Sequence, residues 1–173
     1  MTPNNNTQST HRLGEPGELA RTLARLGLLP FVLGTLLIWL LADHVEPEPY
    51  AFVVQSVASY AALVVAFLAG MPWGLAALRS VHEGPKRPEG IGEDKATLRW
   101  SVALISAAWM ALLMPPHAGL AALGALLVGS YLVDRKRYPL LGAAGWLKLR
   151  FRLTVLSSLC CFLAAAQLPT RPF

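Results

Sequence analysis

Long apolar runs alternate with short charged connections along the whole chain, and their spacing predicts helices. A bilayer core roughly 30 Å thick takes about 20 apolar residues in a helix, with about 17 to 25 tolerated. Five runs come near that range: about residues 26–42, 50–78, 98–114, 119–133 and 153–168. The acidic, proline-bearing stretch Asp43-His44-Val45-Glu46-Pro47-Glu48-Pro49 stops the first. The second is long enough to tilt, or to bend at Pro72. The third and fourth form a hairpin around Pro115-Pro116-His117, and the fifth ends at Pro169. The expected architecture is all-α, a polytopic bundle of five transmembrane helices over residues 23–168. A polar, flexible segment (1–22) precedes it and a short tail (169–173) follows.

Charge then orients the bundle. Of the 15 Lys and Arg residues, 14 fall in the N-terminal segment and in the second and fourth connections. Arg12, Arg21 and Arg25 lie in the first of these, Arg79, Lys86, Arg87, Lys95 and Arg99 in the next, and Arg135 to Arg137 with Lys148, Arg150 and Arg152 in the last. The first and third connections carry none, and the first holds Asp43, Glu46 and Glu48. Cytoplasmic loops of membrane proteins carry the excess of positive residues. The N-terminus is therefore expected in the cytoplasm and the C-terminus in the periplasm.

Composition agrees with this pattern. Hydrophobic residues make up 54% and charged residues 14%, with a mean hydropathy of +0.47, values that do not suit a water-soluble domain. The basic excess of 15 over 10 lies beside lipid, so it reads as a topology signal and not as a nucleic-acid footprint. The first apolar run exceeds the roughly 7–15 residues of a signal-peptide core and ends at Leu40-Leu41-Ala42, so an uncleaved helix is expected.

Helices associate in lipid through close backbone contact, which needs small side chains four residues apart. Such rows occur at Ala58, Ala62, Ala66, Gly70 and Gly74, at Ala103, Ala107 and Ala111, at Ala121, Ala125 and Gly129, and at Ser157, Cys161 and Ala165. The five-member row predicts a central position for the second helix. Trp39, Trp100 and Trp146 fall near expected interfaces, whereas Trp73 and Trp109 sit deeper.

No Lys, Arg, Asp, Glu or His falls in the middle of an expected span, although proton relays and ion pathways need one there. Ion-coupled transport is accordingly not expected. His44, Glu46, Glu48 and His117 share the outer face but no metal-ligand spacing. The adjacent Cys160 and Cys161 read as small packing residues. Nothing resembles a nucleotide-binding loop, a zinc protease motif or a Ser/His/Asp set, so no enzyme activity, cofactor or metal is expected. The stretch Trp146-Leu147-Lys148-Leu149-Arg150-Phe151-Arg152 alternates bulky apolar with basic residues, and Trp146, Lys148, Arg150 and Arg152 are candidates for contact with lipid headgroups or a partner.

These patterns also resemble a family. Gly27-Leu28-Leu29-Pro30-Phe31 opens the first helix, and Tyr60 leads through Phe67-Leu68-Ala69-Gly70 to Trp73-Gly74. Trp100-Ser101-Val102 opens the third helix, Asp134-Arg135 closes the fourth, and Trp146 to Arg150 runs into Leu153-Thr154. In order and spacing, from about Leu23 to Ala166, the chain is similar to the membrane family catalogued as domain of unknown function 3429, which includes the animal transmembrane protein 69 group. The resemblance implies a five-helix protein of the bacterial inner membrane, with relatives in mitochondria, and brings no established catalytic residues. Met71-Pro72 departs from the family pattern, so a bend there would be particular to this chain.

Two functions compete at this point. A non-enzymatic accessory or assembly protein, with membrane lipids and other membrane proteins as partners, follows from small-residue faces without a charged interior. An intramembrane small-molecule binder or carrier, in the manner of the Trp-rich translocator protein family, would line its pocket with Gln55, Tyr60, Trp73 and Trp109. A membrane enzyme is the least supported, because no acid, base and nucleophile fall together.

Overall fold

A computed structural model describes residues 17–42, 46–83, 91–137 and 144–168, with the side chains of 72, 75–83, 91–94, 136–137 and 144–146 outside that description. The calls on residues 1–16, on Asp43 and His44, and on the tail after Leu168 therefore lie outside the described residues.

Six helices follow one another: α1 (Glu18–Leu26), α2 (Leu29–Leu41), α3 (Pro47–Glu83), α4 (Ile91–Leu112), α5 (Pro116–Arg137) and α6 (Ala144–Gln167). Among the described residues there is no strand. Four stretches, Glu18–Leu41, Pro47–Met71, Pro116–Arg135 and Leu147–Gln167, are long and apolar enough to cross a bilayer. This is the make-up of a multi-pass membrane protein. The apolar part of α4 is shorter, because Glu93, Asp94, Lys95 and Arg99 occupy its first turns.

Several helices outrun the apolar runs that predict them. Helix propensity does not require apolar side chains, so charged turns extend α4, α5 and α6 beyond their greasy segments. Turns from Glu18 onward, read from sequence as polar and flexible, form α1. It is amphipathic: Leu19, Leu23 and Leu26 are exposed, with Glu18 in the first turn and Arg25 in the last, each favourable to the helix dipole. Pro30 stands in the first turn of α2 and has no N–H to continue the ladder, so α1 and α2 are separate helices. Pro72, by contrast, lies within one continuous α3.

Helix α3 packs against α2, α4, α5 and α6, the central position its small residues predict. Its buried face differs in detail from the predicted row. Ala58 and Ala62 are buried, but Ala66 is half-buried and Gly70 and Gly74 are exposed, while Val54, Val57, Ala61, Val65 and Ala69 lie in the core. A helix of 3.6 residues per turn advances about 40° with each four-residue step, so a five-member row sweeps off the contact face. The α6 row fares better, with Ser157 and Cys161 buried and Ala165 half-buried.

Glycines mark the closest crossings. A Cβ on Gly34 of α2 would collide with the Val57 Cγ2 methyl of α3. One on Gly124 would lie 3.0 Å from the Phe162 ring and 3.2 Å from Cys161 Cβ, where α5 meets α6. At the α4–α5 hairpin, one on Gly119 would stand 2.5 Å from the Ala111 carbonyl. Two side chains of α2 tie it to α6: Thr35 Oγ1 donates to Cys160 O (3.2 Å) and Trp39 Nε1 donates to Leu163 O (3.2 Å). Large apolar side chains point outward around the bundle, including Phe52, Trp109, Leu113 and Leu132, as a lipid-facing surface requires.

Candidate functional site

A cleft lies beside the junction of α1 and α2. Its walls come from α1, the start of α2, the middle of α3 and the first half of α6, with Leu127 of α5 at the back. Leu23, Leu28, Phe31, Val64, Leu68 and Leu153 supply much of an apolar lining around about 590 Å³, within the usual range for small-molecule sites. Along α3 the lining runs from Tyr60 to Met71, about 16 Å at the helical rise per residue.

The two ends differ in chemistry. At the inner end the Tyr60 hydroxyl donates to Gly27 O at 2.8 Å, and its ring meets Phe31 edge-on with centroids 5.2 Å apart. Tyr60 thereby ties α3 to a carbonyl in the α1–α2 break. At the other end Arg150 lines the cleft and is 5% exposed. Its Nη2 lies 2.5 Å from Asp134 Oδ2 of α5, and its Nη1 donates to Met71 Sδ of α3 at 3.4 Å. A guanidinium removed from water requires such neutralisation. The pair joins the last turns of α5 to the first turns of α6, at the connected end of the α5–α6 hairpin. Thr154 and Ser157 of α6 line the same wall, both buried, and Ser157 Oγ donates to Leu153 O at 2.8 Å.

The sequence-derived candidates divide around this cleft. Tyr60 lines it. Gln55, Trp73 and Trp109 do not, and all three are exposed; Trp109, 60% exposed, faces outward from α4. Of the basic stretch, Lys148 and Arg152 are exposed whereas Arg150 turns inward, so headgroup contact through a free guanidinium does not describe Arg150. Trp146 stands in the first turn of α6, and its side chain lies outside the description. His117 is half-buried at the start of α5, and no group of three metal-ligating residues occurs among the described residues.

Sequence reasoning passed over the Asp134–Arg150 pair, because both residues fall just beyond the expected ends of the fourth and fifth spans. One signal was available: Asp134 is the only acidic residue after Asp94, set among six basic ones.

Residues 17–166 match the family model described as protein of unknown function (DUF3429). The chain belongs to this family. The match takes in all the cleft-lining residues, from Ala20 to Ser157, so the cleft lies within the portion of the chain that defines DUF3429 membership. Comparison with curated proteins and with solved structures gives no match.

Proposed function

We propose that this DUF3429 protein is a non-enzymatic accessory protein of the bacterial inner membrane that holds an apolar membrane ligand, lipid above all, in the cleft between α1, α3 and α6. The observation that carries this reading is the cleft itself. It pairs an apolar lining with a few polar groups at its ends, the combination that binds and orients a hydrophobic ligand. A membrane site open between helices draws its occupant from the surrounding lipid.

The reading includes five spans, with α4 as the third, the N-terminus and basic connections in the cytoplasm and the C-terminus in the periplasm. Support for α4 as a span comes from its tight hairpin to α5 and from Leu104, Ala108 and Ala111 in the core. Support for the orientation is the distribution of Lys and Arg. A reporter fused after Phe173 is expected to behave as exported, and cytosolic behaviour would overturn the orientation.

Native mass spectrometry of the protein extracted in mild detergent tests the binding reading. A retained adduct of lipid-like mass is expected, and it should fall on Leu63→Trp, which fills the cleft from an exposed wall position without touching the core. A bare protein mass, or an adduct indifferent to Leu63→Trp, would remove the support.

A further inference from the structure

We infer that the cleft gauges the length of a single hydrocarbon chain of a membrane lipid, which enters sideways from the bilayer and is measured against an end wall of Phe31, Tyr60 and Leu127. This inference rests on the binding reading above and specifies what the site selects.

The mouth of the cleft faces lipid. Leu23 of α1 with Leu63 and Phe67 of α3 line the space and are nevertheless exposed, so they border its open side. All three lie in stretches long and apolar enough to cross a bilayer. The opening therefore meets acyl chains along the flank of the bundle.

Its inner end is closed by the way α2 meets its neighbours. The bonds from Thr35 to Cys160 O and from Trp39 to Leu163 O fix the register of α2 against α6. Phe31, about one turn before Thr35, therefore stands level with Ser157, about one turn before Cys160. Tyr60 meets the Phe31 ring edge-on and is held by its bond to Gly27 O, and Leu127 of α5, buried like Phe31, backs the space. Beyond this wall Gly34 crosses Val57 with no room for a methyl, so the slot does not continue between α2 and α3. At the opposite end Arg150 joins Met71 and Asp134. Between the two ends the slot measures about 16 Å by the helical rise from Tyr60 to Met71.

Selection by length follows from the chemistry of the walls. Arg150, the charged residue among the described lining residues, is matched by Asp134, while the Tyr60 and Ser157 hydroxyls donate to Gly27 O and Leu153 O. What the slot offers a ligand is chiefly hydrocarbon. A chain that moves in from the bilayer gives up no water, so its gain is close packing. One that stops short leaves a void at the end wall, and one that overruns must crowd the wall; each loses contacts. A slot bounded at both ends and open along its side therefore favours the chain that fills it.

The test offers the full chain, in mild detergent, an equal mixture of dilauroyl, dimyristoyl, dipalmitoyl, distearoyl and diarachidoyl phosphatidylcholine, which share one headgroup, and reads the retained lipid by native mass spectrometry. Enrichment of one chain length over the others is expected. Leu127→Ala, which clears space at the end wall, should shift that maximum to the next longer lipid of the series. Retention in the proportions of the mixture, or a maximum unmoved by Leu127→Ala, overturns the inference. If Leu63→Trp leaves retention of every lipid at the native level, the cleft-binding reading itself fails, which separates the two failures. Should Leu127→Ala unfold, Tyr60→Leu opens the same wall from a half-buried position and makes the same prediction.

Discussion

The Asp134 carboxylate and the Arg150 guanidinium meet at 2.5 Å across the connected end of the α5–α6 hairpin, both buried, with Met71 of α3 also against the arginine. One ion pair thus links three helices at the charged end of the cleft. It replaces with a single internal contact the water that each group gives up on burial.

Removing either partner strands the other in an apolar setting. Asp134→Ala or Arg150→Ala should each destabilise the protein by about 3–5 kcal/mol, whereas Asp134→Leu with Arg150→Met should recover most of that loss. Thermal unfolding in detergent measures all three. A double variant no more stable than the worse single one would show that the pair does more than neutralise itself.

Gly34 and Gly70 should respond oppositely to the same change. Gly34→Ala drives a methyl into Val57 and is expected to cost about 1–3 kcal/mol through overpacking, with partial recovery in combination with Val57→Ala. Gly70 has nothing within 4 Å of a Cβ position, so Gly70→Ala should be neutral or stabilising by up to about 1 kcal/mol. Melting curves of the two single variants decide the matter, and equal losses would contradict the packing described for α3.

Tyr60→Phe keeps the ring against Phe31 and deletes the bond to Gly27 O. A loss of about 0.6 kcal/mol or somewhat more is expected, the size of an interhelical hydrogen bond in a membrane. Hydrogen exchange should quicken in α1 and early α2 and stay unchanged in α5. Uniform quickening would assign Tyr60 to the bundle as a whole and not to the α1–α2 break.

Trp109 is 60% exposed on the outer surface of α4. In vesicles whose acyl chains carry bromine, a variant retaining Trp109 as its sole tryptophan should be strongly quenched. Protection from bromine together with quenching by aqueous iodide would take this face of α4 out of the lipid.

Much of the architecture was open to reading from residue order. Apolar runs placed the helix centres, and the small residues around Ala58 and Ala62 pointed to α3 as the central helix. The helix ends were less legible, because a charged turn such as Glu93 to Lys95 continues a helix as readily as it ends an apolar run. Trp73 and Trp109 were taken as pocket candidates from their position along the span, yet position along a helix says how deep a residue lies and not which way it faces. Tyr60, 13 residues before Trp73 on the same helix, faces inward and lines the cleft.

By itself the sequence determined the class of the protein, an all-helical membrane chain, since runs of about 20 apolar residues have few stable places other than a bilayer. Tertiary structure alone decided that Asp134 reaches Arg150, that a cleft lies between the α1–α2 junction, α3 and α6 beside Tyr60, and that Gly34 meets Val57. In lipid the hydrophobic effect does not choose which apolar face turns inward; that choice falls to close packing and a few polar contacts between helices distant in sequence.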